Sequence, residues 1–160
     1  MAKYAILAAT GRIGQLTTRY LLDNSDAELV LFGHNAKQRL AEFAGDRVSF
    51  VDGDLKDEQA LQEAFNGVDA VFLAYVATPD LINPVIKALD ASGVKRLVAM
   101  SVPDVYQEVA GPFQAWYREH TGLVWKTNYV DTIDAIENSD LDYVILRTTW
   151  LYDDPSKTDV

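Results

Sequence analysis

The sequence has no cysteine, so a disulfide framework and a thiolate metal site are both excluded. Histidine is nearly absent too. His34 and His120 stand far apart, without the spacing that lets imidazoles share a metal ion. Long hydrophobic runs are missing. The opening run, Tyr4-Ala5-Ile6-Leu7-Ala8-Ala9, is too short for a signal core or a membrane span, which points to a cytoplasmic protein. Positive charge is scarce: 14 Lys and Arg stand against 24 Asp and Glu, for a formal net charge of −10. Such a surface repels a nucleic-acid backbone and an anionic membrane, so neither is expected as a partner. A small anion is compatible only where cations are concentrated locally. No repeat or low-complexity tract breaks the chain. With 160 residues, 49% of them hydrophobic, it can bury a core without covalent staples and is expected to form one domain, residues 1–160.

What is present is an alternation. Six short apolar runs read as strands: Tyr4 to Ala9, Leu29 to Phe32, Val48 to Val51, Ala70 to Ala74, Leu97 to Met100 and Tyr143 to Leu146. Near-continuous apolar runs suit strands covered on both faces, as in a parallel sheet. Helical spacing lies between them. Ile82, Val85, Ile86 and Leu89 make one helix face, Leu61, Ala64 and Phe65 another, and Tyr129, Ile133 and Ile136 a third. Leu16, Tyr20 and Leu21 give an apolar side to a helix after the first strand. Asp54 or Asp57 caps the helix around Leu61, and Gly45, Gly67 and Gly93 suit helix C-termini. Val102 to Lys126, rich in proline, glycine and aromatic residues, reads as a loop plus a short helix above one edge of the sheet. The expected fold is α/β: a doubly wound parallel sheet in three layers, strand order 3-2-1-4-5-6, binding its ligand outside the carboxyl ends of the strands.

The most informative stretch is Ala8-Ala9-Thr10-Gly11-Arg12-Ile13-Gly14. It follows the first strand and opens a helix. Glycine lets the backbone approach a ligand, and a helix N-terminus offers free N–H groups and the positive end of a dipole, an arrangement that accepts a pyrophosphate. Gly14 allows close helix–strand packing. Ala8 stands where the first glycine of a dinucleotide fingerprint is expected, and a tight turn without a ligand is the competing reading.

That turn resembles the short-chain dehydrogenase/reductase superfamily, and more narrowly its atypical NmrA-like and flavin-reductase-like branch of NAD(P)-binding proteins. Gly53-Asp54-Leu55, Asp69-Ala70-Val71-Phe72, Ser101 and Leu141-Asp142-Tyr143-Val144-Ile145-Leu146-Arg147 carry the resemblance across nearly the whole chain. It implies a Rossmann-like fold that is short on the C-terminal, substrate side. It also implies a dinucleotide held by Ala9, Thr10, Gly11, Arg12, Ile13 and Gly14, with Asp54 and Leu55 flanking the adenine and Ala74 and Tyr75 lining the groove. Asp54 read as a helix cap and Tyr75 read as edge packing are the alternatives. A ribose 2′-hydroxyl is usually met by a carboxylate at the end of the second strand, whereas a 2′-phosphate requires cations. Here that strand ends Phe32-Gly33-His34-Asn35, followed by Lys37 and Arg39, with no acid in the turn. Relatives that prefer NADP often carry arginine where His34 sits. NADP(H) is therefore expected over NAD(H), with Arg12, His34, Asn35, Lys37 and Arg39 around the phosphate.

Typical members of the superfamily add a serine after the fifth strand and a Tyr-x-x-x-Lys pair. Ser101 fits the serine, either as a catalytic group or as a satisfied strand end. None of the eight tyrosines has lysine four residues later. Carbonyl reduction by the usual pair is therefore not expected. A flavin-like or quinone-like acceptor needs no such pair, and Trp116, Tyr117 and Trp125 offer it an apolar wall or, alternatively, pack a lid or a dimer contact. His120 and Asp153-Asp154 read as surface residues. Two functions remain: an NADPH-dependent oxidoreductase, or a non-catalytic dinucleotide sensor with a regulatory protein partner.

Overall fold

In the computed structural model, which describes residues 1–121, 127–149 and 151, strand and helix alternate as the apolar pattern requires. The order is β1 (Lys3–Leu7), α1 (Arg12–Asn24), β2 (Glu28–Gly33), α2 (Ala36–Arg39), β3 (Val48–Asp52), α3 (Glu58–Ala64), β4 (Ala70–Leu73), α4 (Pro79–Ser92), β5 (Arg96–Ser101), α5 (Pro112–Thr121), α6 (Thr127–Glu137) and β6 (Asp142–Arg147). The six strands form one sheet in the order β3-β2-β1-β4-β5-β6, with every neighbouring pair parallel. The chain moves outward from β1 to β3 and then crosses to β4 on the other side of β1. The order of strands therefore reverses beside β1, and that reversal opens a crevice at the carboxyl edge.

Alternate residues of each strand serve opposite faces. Ile6, Leu29 and Leu31 pack with α1, α2 and the turn at Leu40–Phe43 on one face. Leu7, Phe32, Val71 and Leu97 pack with α3, α4 and α6 on the other. Each fully buried Leu, Ile or Phe contributes about 1.5–3 kcal/mol relative to exposure. The helix ends follow local chemistry. Asp57 caps α3, its Oδ1 accepting the N–H groups of Gln59 and Ala60 at 3.1 and 3.0 Å. Pro79 opens α4, and Gly93 closes it at a φ of +72° that an L side chain adopts only with strain.

Four expectations are corrected. The first strand ends at Leu7, because Ala8 turns into the left-handed region at φ +55°. Asp54 does not cap α3; Asp57 does. Leu16 and Tyr20 do not face the core: they are 59% and 66% exposed, and Gly14 and Thr18 are buried instead. The helix lies so close to the sheet that only small residues fit beneath its first turns, and Thr18 Oγ1 satisfies itself on the Gly14 carbonyl at 2.7 Å. Finally, β6 is not covered on both faces, since Tyr143 and Leu146 are exposed at the sheet's edge.

The cap on α3 gives a direct test. Asp57→Ala is expected to lower stability by about 1 kcal/mol, read as a lower urea midpoint at an unchanged slope.

Candidate functional site

The site begins where β1 meets α1. Gly11 N–H closes the turn on the Ala8 carbonyl at 3.0 Å, and Ala9, fully buried, donates its N–H to the Phe32 carbonyl at 2.9 Å. Gly11 is the N-cap of α1; it brings no side-chain cap, and the first turn carries no acidic residue. A methyl group on Gly14 would lie 2.6 Å from Ala9 Cα and 2.8 Å from the Ala8 carbonyl oxygen. Glycine there lets the start of α1 rest directly on the end of β1, so the positive end of the helix dipole opens at the switch point. Gln15 Nε2 donates to the Thr10 carbonyl at 2.9 Å, and Arg39 Nη2 reaches the same oxygen at 3.4 Å. Arg39 is thus brought from α2 onto the glycine turn. Ile13 sends its side chain into the core beside Leu21 and Leu22, leaving only its backbone for a ligand.

Beside this turn lies a cavity of about 320 Å³. Its lining includes Ala8, Thr10, His34, Asp54, Leu55 and Tyr75, six positions that the sequence singled out. Phe32, Gly33, Gly53 and Leu81 complete it; of these Leu81 had no sequence signal, because its place on the first turn of α4 is set by the crossover. Asp54 is anchored through both oxygens. Oδ1 accepts the Lys56 N–H at 2.8 Å, and Oδ2 lies 3.1 Å from His34 Nε2. The Lys56 ammonium in turn binds Asp80 at 2.7 Å, tying the Asp54 loop to α4 and so the Leu55 wall to the Leu81 wall. That hydrogen bond holds Asp80 below, and Lys56 above, its ordinary range. Asn35, in the left-handed region at φ +51°, opens α2 and leads to the exposed Lys37 and Arg39. Ala74 is buried after β4, its N–H on the Leu7 carbonyl at 3.1 Å. Two larger, more open depressions run along α1 and the start of β3, around Arg19, Asp23 and Arg47, away from the carboxyl ends of the strands.

The geometry suits a dinucleotide: a helix N-terminus without a side-chain cap for the phosphates, an adjoining and largely apolar cavity for a base, and a β2 end that carries His34, Lys37 and Arg39, the Asp54 carboxylate reaching His34 from the loop after β3. Three or more potential metal ligands do not gather anywhere among the described residues.

Ser101 is buried at the end of β5, in register with Arg147, and does not line that cavity. The loop after it is held by three pairings that no local signal announces. Asp104 takes Arg118 through Nε and Nη2 at 2.6 and 3.2 Å. Glu108 accepts the N–H groups of Asp104 and Tyr106 and binds Arg147 Nη1 at 2.6 Å. Tyr106 donates its hydroxyl to Glu137 at 2.5 Å, under the Arg147 guanidinium. The Arg118 hydrogen bond holds the Asp104 carboxyl below the ordinary carboxylate range. Burial and Glu137 push the Tyr106 phenol up, and burial together with Asp104 and Glu108 pushes Tyr117 up. A proton-transferring tyrosine requires the opposite shift. The expected aromatic wall is also divided: Tyr117 is buried, while Trp116 is exposed and stacks on His120 with ring centroids 4.6 Å apart. Trp125, Lys126, Asp153 and Asp154 lie outside the described residues.

A family model described as NAD(P)H-binding matches residues 8–160. Among solved structures, a short-chain dehydrogenase/reductase from Veillonella parvula in complex with NADP is 28% identical and superposes with a TM-score of 0.91, over 99% of this chain and 74% of that one. A NADPH-dependent quinone oxidoreductase from Escherichia coli is 25% identical, with a TM-score of 0.67 over 92% of this chain and 47% of that one. Among curated proteins, the oxidoreductase ordB of Dothistroma septosporum is 33% identical over 98 residues, which is 59% of this chain but only 36% of that relative's length.

Two substitutions at the turn should act in opposite directions. Gly14→Ala forces a methyl group into backbone and is expected to cost about 1–3 kcal/mol. Ala8→Gly relieves a left-handed alanine and is expected to add up to about 1 kcal/mol. Urea unfolding measures both, and an unchanged midpoint for Gly14→Ala would contradict the packing described.

Proposed function

The chain belongs to the NAD(P)H-binding family, and we propose that within it the protein is an NADPH-dependent oxidoreductase that reduces a flavin-like or quinone-like acceptor. The observation carrying the reading is the glycine-seated start of α1, which has no side-chain cap, beside a cavity lined by His34, with Lys37 and Arg39 following on α2 and the lining carboxylate, Asp54, coming from the loop after β3 and already paired with His34. The N–H groups of Arg12, Ile13 and Gly14 receive the pyrophosphate. Asp54 and Leu55 flank the adenine, and Ala74 and Tyr75 border the path toward Ser101. Arg12, His34, Asn35, Lys37 and Arg39 surround a 2′-phosphate, with Arg39 already drawn to the glycine turn. NADH, with a 2′-hydroxyl, enters the same cleft and forgoes these charge-assisted contacts. The named relatives support the choice: one is bound to NADP, another is a NADPH-dependent quinone oxidoreductase.

When bound, the nicotinamide supplies a hydride, and a quinone takes that hydride and one proton to become a hydroquinone. Such an acceptor draws its proton from water and requires no tyrosine acid. This agrees with Tyr106 and Tyr117, whose phenols are pushed away from proton transfer.

Two measurements test this. Loss of NADPH absorbance in the presence of a soluble quinone or free flavin is expected; tight NADPH binding without turnover would favour a dinucleotide-sensing regulatory protein instead. Arg12→Ala is expected to weaken NADPH binding about tenfold or more, with a much smaller effect on NADH, since a hydrogen bond to a charged partner contributes about 1.5–3 kcal/mol. Equal losses in a fluorescence titration would remove Arg12 from the 2′-phosphate.

A further inference from the structure

An imidazole has two ring nitrogens and, when neutral, one N–H to share between them. At His34 a neighbouring carboxylate biases the choice. Nε2 lies 3.1 Å from Asp54 Oδ2. A carboxylate only accepts, so this contact requires the proton on Nε2. Asp54 is not free to turn away, because its other oxygen holds the Lys56 N–H. With that contact made, the neutral ring carries its proton on Nε2 and presents Nδ1 as a lone pair. A bare lone pair accepts a hydrogen bond from a hydroxyl and repels the oxygen of a phosphate, which can only accept. The protonated ring donates from both nitrogens: it keeps Asp54 and offers Nδ1–H to an anion.

We propose that His34, positioned by Asp54, makes the coenzyme preference depend on proton uptake, the neutral ring suiting a ribose 2′-hydroxyl and the protonated ring a 2′-phosphate. The inference rests on the dinucleotide reading above and adds what distinguishes the two coenzymes at the end of β2. An arginine there would select the phosphate at every pH and an aspartate would reject it; a histidine tied to a carboxylate does neither unconditionally. Asp54 is in contact with the ring; the charged groups on the elements that meet there are Asp52 opposite Gly33 in the sheet register, Lys37 and Arg39 on α2, Arg12 at the start of α1, and Lys56 in the Asp54 loop, which binds Asp80. Among these side-chain types only imidazole changes charge between about pH 6.5 and 8.5. The ring is well exposed, so proton exchange with solvent is unobstructed.

The test is calorimetric titration of the whole protein with NADPH and with NADH between pH 6.5 and 8.5, repeated in buffers of different protonation enthalpy to count protons. NADPH affinity is expected to fall about fivefold or more across that range with net proton uptake on binding, while NADH affinity does not fall. The window lies above the second ionisation of a phosphate monoester, near pH 6, so the ligand's own titration does not imitate the effect. His34→Arg is expected to keep NADPH binding and lose its pH dependence. Asp54→Asn is expected to flatten it as well, because the amide can donate to Nε2 and send the neutral ring's proton to Nδ1. A flat NADPH profile in the native protein, or the same slope surviving in His34→Gln, would overturn the inference and leave the coenzyme reading standing. Failure to bind either dinucleotide would overturn both.

Discussion

The contact on which the rest depends is the seating of α1 on the end of β1. With a Cβ at Gly14 only 2.6 Å from Ala9 Cα, the helix would have to lift, and its N-terminus would move away from the crevice at the end of β1. The close approach agrees with Leu16 and Tyr20 being turned outward and with Thr18 bonding its own helix. A single backbone proximity thus fixes the electrostatic character of the cleft. Membership of the NAD(P)H-binding family gives that character its purpose.

Around this point the cleft is built from pieces that are remote in sequence. The Asp54 loop, the start of α4 and the end of β2 are joined by Lys56–Asp80 and His34–Asp54. Both pairings are exposed and contribute little to stability in water. Their effect is on orientation: they fix which oxygens and nitrogens look into the cavity. A network of this kind can discriminate between ligands that differ by one phosphate without altering the fold.

The far side of the carboxyl edge is organised differently. The loop after β5 is strapped to α5, α6 and β6 by Asp104–Arg118, Tyr106–Glu137 and Glu108–Arg147. Tyr106 in that loop and Tyr117 on α5 both lie near carboxylates, and the cation over the Tyr106 ring is the Arg147 guanidinium, itself held by Glu108. Burial first, and the carboxylates second, raise both phenols.

How much was legible in the sequence follows from the range of the forces involved. Strand and helix positions and the glycine turn are written in local periodicity and in the Gly11–Gly14 spacing, because burial on two faces of a parallel sheet and a tight βα turn each constrain only a few consecutive residues; the strand order came from the doubly wound fold those elements and the family resemblance imply. His34 stands directly after β2, while Asp54 and Tyr75, each two residues past a strand end, were marked by the family resemblance. Neither periodicity nor spacing could say that Asp57 rather than Asp54 caps α3, that Leu81 closes the cavity, that Arg39 returns to Thr10, or that Glu108 meets Arg147 across 39 residues. Those outcomes depend on how far the crossovers carry each element before the sheet stops them. Sequence alone determined where the chain can bury itself and where its backbone is bare; only the tertiary packing decided which charges face one another across the opening, because side chains pair over a few ångströms in space and not along the chain.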